Sequence, residues 1–187
     1  MTFEKEKRNF LIKIDKSKKG TIDKEIKELV LFINTLPKYY TKSSCAGRVV
    51  LLKKKSDKKQ EAEWLFVKHG LVTYKEILYA TRSLPREEVW FKQEPLIMHV
   101  CCKTIEDADK LLKLSKSYFK RTGIIGIKKS VTIEIIGTDI LDTIISKNGK
   151  LLISDEYLRI LINEANKKLK RNSKKILGYY KKITTSF

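Results

Sequence analysis

Tyr39-Tyr40-Thr41-Lys42-Ser43-Ser44-Cys45-Ala46-Gly47-Arg48, running straight into Val49-Val50-Leu51-Leu52, crowds small, polar and cationic groups against the mouth of an apolar strand. Two serines, a thiol, Ala46 and Gly47 bring hydroxyl donors and little bulk, so a ligand can approach the backbone closely, and Arg48 can fork onto a carboxylate or phosphate. That is the chemistry of a binding loop. The same residues equally suit a tight turn entering a buried strand, with Cys45 as a small core group and Arg48 on the surface.

Upstream of this block, Phe3, Phe10, Leu11 and Ile14 share one helical stripe, which predicts a basic helix ending near Lys19-Gly20. Ile22, Ile26, Leu29, Val30, Ile33 and Leu36 predict a second helix, closed by Pro37. Downstream, residues 49–52 and 64–67 read as a hairpin around a long lysine-rich tip at 53–60. Thr73-x-x-Glu76 has the form of a capping box opening a helix to about Ser83. A strand pair is expected from Val89-Trp90-Phe91 and residues 96–102. Thr104-x-x-Asp107 then starts a helix with Ala108, Leu111, Leu112, Ser115 and Phe119 on one stripe and Gly123 at its C-terminal cap. Residues 124–136 are too long for one strand, so a bend is expected at Gly126 or at Lys128-Lys129. Asn148-Gly149 is a two-residue hairpin signal. Ser154 caps the last helix, whose stripe is Leu158, Leu161, Ile162, Ala165, Leu169, Ile176 and Tyr180.

Hairpins interleaved with helices argue for an α+β fold: a two-layer sandwich of a largely antiparallel or mixed sheet with helices. A single domain over residues 1–187 is expected, with a basic C-terminal helix from about 154. Between 48 and 123, two successive strand-strand-helix units hint at duplication. No Gly-x-Gly-x-x-Gly follows a first strand, so the usual dinucleotide-type route to a nucleotide cofactor is absent and a classical Rossmann fold is not expected.

Lysine and arginine number 41 against 22 aspartates and glutamates, a formal charge of +19, and such an excess asks for a polyanion. The N-terminus lacks a signal-peptide pattern and no apolar run approaches the ~20 residues that span a bilayer, so nucleic acid is favoured over membrane and a cytoplasmic protein is expected. Cys45, Cys101 and Cys102 form no disulfide framework, an odd count with adjacent members, and reduced thiols are expected. With His69 and His99 they include metal-ligand types, yet no Cys-x-x-Cys or His-x-x-x-His spacing is present. Adjacent Cys101 and Cys102 point to opposite faces of a strand, so no metal is expected.

The block at 39–48 resembles the signature of the tRNA wybutosine-synthesizing methyltransferase family, a tyrosine-threonine stretch followed by Ser-Ser-Cys-Ser-Gly-Arg, with Ala46 in place of the usual serine. Trp64-Leu65-Phe66-Val67-Lys68-His69, Glu94-Pro95-Leu96-Ile97-Met98-His99-Val100 and Tyr118-Phe119-Lys120-Arg121-Thr122-Gly123-Ile124 match further blocks in the same order. Residues 156–177, with Asn166 and Asn172, are similar too, and the likeness runs nearly end to end. It implies S-adenosylmethionine-dependent methylation of ring nitrogen N4 in a tricyclic wyosine precursor, made from the guanosine just 3′ of the phenylalanine tRNA anticodon. On that resemblance Ser43, Ser44, Cys45, Gly47 and Arg48 are expected to bind the cofactor.

Methylating a ring nitrogen requires aligned partners and a base for the ring proton. Candidate bases are His69, His99 and Glu94. Strand alternation puts His99 on a face with Ile97 and Cys101, which fits a hydrogen-bonded core residue as well as a base. His69 ends its strand before Gly70, a more exposed place, and Glu94 beside Pro95 fits a turn carboxylate equally. The alternative function is a non-catalytic basic RNA-binding protein. A cysteine or zinc hydrolase, the third reading, would need bound metal or an acidic thiol.

Phosphate neutralisation is the natural use of Lys53, Lys54 and Lys55, of Lys120 and Arg121 beside Tyr118 and Phe119, and of Lys167, Lys168, Lys170 and Arg171. Affinity for tRNA should therefore fall steeply with salt. Replacing one phosphate-contacting lysine should flatten the slope of log affinity against log salt by about 1 in a filter-binding series, and an affinity independent of salt would contradict the assignment.

Overall fold

The computed structural model describes residues 2–12, 22–54 and 62–187. Lys55, most of the lysine-rich tip and the expected end of the first helix lie outside the described residues. Helix α1 (Phe3–Ile12) is followed by a 3₁₀ turn (Lys24–Ile26) that runs into α2 (Lys27–Thr35). Then come β1 (Tyr39–Cys45), β2 (Arg48–Lys54), β3 (Ala62–Lys68), α3 (Tyr74–Ala80), β4 (Glu88–Glu94), β5 (Ile97–Cys102) and α4 (Ile105–Lys116). The chain closes with β6 (Arg121–Ile127), β7 (Val131–Ile136), β8 (Leu141–Lys147), β9 (Lys150–Leu151) and α5 (Asp155–Thr184).

The strands form two antiparallel sheets, ordered β1-β5-β7-β6 and β3-β2-β4-β8-β9. The α+β, antiparallel reading is borne out, with two sheets where one was expected. The expected pairing of β4 with β5 does not form: Pro95 between them has no N–H for a ladder, and the next N–H, of Leu96, is taken by the Asn172 side chain at 2.9 Å. The second strand-strand-helix unit is thus no hairpin, and the hint of duplication goes with it.

The chain divides into two compact units, Met1–Ala46 with Leu96–Thr138 and Asn172–Phe187, and Gly47–Pro95 with Asp139–Arg171. In the first unit, strand alternation turns Met98, Val100 and Cys102 of β5 and Val131, Ile133 and Ile135 of β7 inward. They meet Leu29, Val30 and Ile33 of α2, Ala108 and Leu111 of α4, and Ile176, Tyr179 and Ile183 of α5 in one core. Tyr179 is completely buried, and its hydroxyl is satisfied by Ser115 Oγ at 2.7 Å. In the second unit Val49, Leu51, Val89, Phe91 and Ile145 form the inner face of the sheet, against Leu158, Leu161, Ile162, Ala165 and Leu169 of α5. Each fully buried aliphatic or aromatic side chain contributes about 1.5–3 kcal/mol relative to exposure.

Local signals place the elements as their chemistry dictates. Thr73 and Glu76 form a reciprocal capping box at the start of α3, and Thr104 caps α4 through the Asp107 N–H. Asn148 and Gly149, at φ 53° and 74°, supply the double left-handed turn between β8 and β9. Ser154 Oγ accepts from the Tyr157 N–H at the head of α5. The bend expected in 124–136 falls between β6 and β7. Gly123 is not the cap of α4: the Tyr118 and Phe119 N–H groups already close on Ser115 O, so the helix ends at Lys116 and Gly123 lies in β6.

Two asparagines of α5 each complete a strip of backbone with both ends of the amide. Asn166 accepts from the Val72 N–H at 2.9 Å and donates to Val72 O at 2.8 Å within the second unit. Asn172, only 2% exposed, accepts from the Leu96 N–H and donates to Ala46 O at 2.6 Å within the first. Leaving a buried backbone group unpaired costs roughly 1–3 kcal/mol, so Asn172→Ala should lower unfolding free energy by about 2–5 kcal/mol in urea titration. A loss below about 1 kcal/mol would show that other groups satisfy those atoms.

Glu76 gives a separate expectation for acid stability. The Lys68 ammonium, then the Thr73 N–H and hydroxyl, hold its carboxyl down at about 2. Against about 4.3 in the unfolded chain, its contribution is complete above that value and is lost as pH falls toward 2. Glu76→Gln should flatten that limb of the stability-against-pH curve; an unchanged limb would mean the pairing contributes nothing.

Candidate active site

The signature block is a strand, not a loop. β1 pairs with β5 from Tyr39 opposite Cys102 to Cys45 opposite Ile97, and the register shifts between Thr41 and Ser43, with Lys42 as the extra residue. Residues directly opposite one another share a face. Tyr39, Thr41 and Ser44 lie opposite core-facing Cys102, Val100 and Met98, whereas Ser43 lies opposite His99, His99 opposite Glu134, and Glu134 opposite Gly123. One row thus crosses all four strands on the face away from the core.

Along that row Ser43 Oγ lies 2.7 Å from His99 Nδ1, and His99 Nε2 lies 3.0 Å from Glu134 Oε2. The imidazole is 28% exposed and the Glu134 carboxyl 31%, so the row is open to solutes yet partly desolvated. An ionised carboxylate only accepts, which assigns the proton of the neutral ring to Nε2 and leaves Nδ1 to accept from the Ser43 hydroxyl. When the ring is protonated, Nδ1 donates instead and Glu134 balances the charge. Of the sequence candidates, the structure brings together Ser43 and His99 and adds Glu134. The strand alternation that places Glu134 opposite the face of Ile133 and Ile135 was readable; its pairing to His99 was not, because register is not written in one strand.

The remaining candidates sit in different settings. Ser44 lies on the core-facing side opposite Met98, and Cys45 is half-buried opposite Ile97. Ala46 is 6% exposed and fixed at both backbone ends, its N–H on Asp23 Oδ2 at 2.8 Å and its carbonyl on Asn172. In the second unit Gly47 takes φ 113°, a conformation that favours glycine. Arg48 donates through Nε to Glu94 at 2.6 Å and stacks over Trp64 at 4.5 Å, so these two candidates occupy one another. His69 is half-buried between β3 and Gly70. Cys101 Sγ donates to Ser130 Oγ at 3.0 Å, and burial pushes the Cys102 thiol up to about 12, which disfavours a thiolate.

The candidate RNA cations divide similarly. Lys53 is ion-paired to Glu63, and Lys54 lies 4.4 Å over the Trp90 ring. Lys167, Lys168 and Arg171 cluster around Glu164 at 4.0, 3.7 and 3.9 Å, and Arg171 also reaches Asp139 at 3.0 Å. Lys120, Arg121 and Lys170 are exposed. The pairs of Lys167 and Arg171 with Glu164 are solvent-exposed and worth little each, whereas the Lys53 and Lys168 side chains are largely buried, at 15% and 19% exposure.

An antiparallel α+β scaffold carrying a carboxylate-held histidine beside a serine defines a candidate proton-transfer site outside the nucleotide-binding folds. A family model described as Methyltransferase TYW3 matches residues 5–185, and the chain belongs to this methyltransferase family. It is 34% identical to the tRNA wybutosine-synthesizing protein 3 homolog of Homo sapiens, over 95% of this chain and 71% of that protein. It is also 34% identical to the tRNA(Phe) 7-((3-amino-3-carboxypropyl)-4-demethylwyosine(37)-N(4))-methyltransferase 1 of Pyrococcus abyssi, over 97% of this chain and 95% of that one. The solved structure of the PH1069 protein from Pyrococcus horikoshii superposes with a TM-score of 0.91 at 32% identity, covering 98% and 95% of the two chains. A hypothetical protein from Aeropyrum pernix shares the fold, with a TM-score of 0.75 at 22% identity, over 85% and 95%. The resemblance is borne out, the protein is an enzyme, and the reading as a non-catalytic RNA binder finds no support. No helix among the described residues is long and apolar enough to cross a membrane.

The hydrogen-bond assignment is open to direct measurement. With two histidines in the chain, imidazole ¹⁵N shifts are assignable with a His69→Gln control, and the neutral His99 ring should be the Nε2–H tautomer. Glu134→Ala should raise the Nδ1–H population; a ring already Nδ1–H in the unmodified protein would contradict the assignment.

Proposed function

We propose that residues 1–187 act as one unit that methylates N4 of a demethylwyosine-type tricyclic base in the anticodon loop of phenylalanine tRNA, with S-adenosylmethionine as donor. The observation that carries this reading is the Ser43–His99–Glu134 row, placed on an open sheet face in a chain that matches named tRNA methyltransferases over nearly their full length. When bound, the donor supplies an electrophilic methyl group on a sulfonium.

The residues of the row handle the proton. Ser43, exposed at the row's solvent end, accepts the ring N–H proton of the base while passing its own to His99 Nδ1. The electron pair this leaves on the ring nitrogen would be free to take the methyl group, with the sulfur–methyl bond broken and S-adenosylhomocysteine leaving as the neutral thioether. Glu134, already on Nε2, stabilises the imidazolium that results, as a charge-assisted hydrogen bond in a partly desolvated place. Ser43 is thereby a proton relay, and His69 and Glu94 are not the base. The donor set fits the donor molecule's polar end: the same face offers the Lys42 ammonium hydrogen-bonded to Thr132 Oγ1 at 2.9 Å and no bulky side chain at Gly123 or Gly126. Exposed Lys120, Arg121 and Lys170 hold tRNA phosphates, with the Lys167–Arg171 cluster exchanging Glu164 for phosphate.

Methyl transfer from labelled donor to phenylalanine tRNA bearing the unmethylated tricycle tests the reading. His99→Gln should slow the chemical step by about 10²-fold or more, with partial recovery as rising pH deprotonates the base in solution. Ser43→Ala should lose less, since the base can reach Nδ1 directly. S-adenosylmethionine alone should raise the melting temperature by mass action. A His99→Gln enzyme at full rate would move the base elsewhere.

A further inference from the structure

The β1 bulge has a second product beside the histidine row. Lys42, the extra residue, sends its side chain across β5 to hydrogen-bond Thr132 Oγ1 on β7 at 2.9 Å. On β7, Thr132 and Glu134 are two residues apart and share a face, so the ammonium is anchored one row from His99. Its fixed contact is a neutral hydroxyl, and it makes no ion pair with a carboxylate among the described residues, while the nearby Glu134 is engaged by His99. Both Lys42 and Thr132 are half-buried, and a partly desolvated cation without an anion is costly to keep. Thr132, accepting from Nζ, keeps its own proton to donate, and the ammonium keeps two. Together they present convergent donors to an anion.

The edge strand leaves room for that anion's carrier. Thr132 lies opposite Gly126 and Glu134 opposite Gly123, so both rows end on bare backbone. A Cβ at either glycine would meet nothing within 4 Å, and neither adopts a left-handed conformation that would call for glycine.

We propose that Lys42 and Thr132 form a carboxylate site beside His99, open over Gly123 and Gly126, which takes the α-amino-carboxylate end of a small ligand. The inference rests on the methyl-transfer reading above. Two ligands carry this group: the amino-acid end of S-adenosylmethionine, and the 3-amino-3-carboxypropyl arm named in the substrate of the Pyrococcus abyssi relative. The site differs from a backbone-phosphate contact in being half-buried, single and hydroxyl-supported, where the phosphate candidates Lys120, Arg121 and Lys170 are exposed.

Lys42→Met and Gly123→Val are compared with the unmodified chain in two arms. Calorimetric titration with S-adenosylhomocysteine reads the donor's carboxylate without any turnover. The ratio of kcat/KM for tRNA bearing the arm to tRNA bearing the tricycle without it reads the substrate's. Lys42→Met should lose tenfold or more in one of these quantities, and which one moves identifies the ligand. Gly123→Val should keep or raise the melting temperature, as a β-branched residue on a strand, while weakening the same ligand comparably. The site is overturned if both quantities stay within twofold for Lys42→Met, or if that change only weakens tRNA binding irrespective of sequence with a salt slope lower by about 1, the mark of a phosphate contact. Full binding and rate for Gly123→Val would overturn the placement over the bare strand. An unmodified chain that binds S-adenosylhomocysteine yet methylates neither tRNA would sink the function, while calorimetry would still decide the site.

Discussion

One extra residue in β1 sets the chemistry of the first unit. With strict alternation, the outward side chains after Tyr40 would be Lys42 and Ser44; the bulge at Lys42 hands the outward positions to Ser43 and Cys45 and puts Ser43 opposite His99. It also frees Lys42 from the ladder, so that its long stem can reach Thr132. Without the bulge the serine would face the core and the histidine would lose its neighbour. The serine's place beside His99 and the reach of Lys42 therefore depend on this change of register, while His99 and Glu134 meet through the unshifted β5–β7 ladder and a second shift, in β6, puts Gly126 opposite Thr132.

The other side of the sheet explains why that register is secure. Met98, Val100, Cys102, Ile133 and Ile135 are completely buried, and a slip of one residue would expose all of them. At the strand ends the backbone is held by side chains instead of further ladder bonds. Asp23 and Asn172 fix Ala46, and Asn172 fixes Leu96 beside Pro95. The Tyr40 end is packed under Phe3 and Phe10 of α1, with ring centroids 5.5 and 5.4 Å away. Core packing thus fixes the position of polar groups that face away from it.

Much of this was legible in the sequence because it is local. Capping residues, the Asn148-Gly149 turn and the stripe of α5 each act over a few residues, and each appears where its chemistry requires. The pairing of strands was not legible, since it rests on contacts between residues far apart in the chain. Hence β4 and β5, adjacent in sequence, were read as partners although Pro95 sends them to different sheets. For the same reason the block at 39–48 read as a loop: its polar residues lack strand-like hydrophobicity, and only the neighbouring β5 makes it a strand. His99 was singled out by its residue type, whereas Glu134 needed the register of β5 against β7. Ala46, which replaces a serine in the family signature, is buried and held through its backbone, so the missing hydroxyl is not needed to fix that residue.

The division of the chain also bears on how the protein is made. The first unit is assembled from three separated segments, and its core is completed by Ile176, Tyr179 and Ile183 near the C-terminal end. The β1 strand must wait for β5, and the core around both must wait for the last turns of α5, so a growing chain holds its first sheet unfinished through most of synthesis. The second unit, whose last segment ends at Arg171, has all its residues earlier. The order of synthesis therefore supplies every residue of the second core, Leu169 the last of them, before Ile176, Tyr179 and Ile183 complete the first, so β1, made early, is among the last strands to be locked in place.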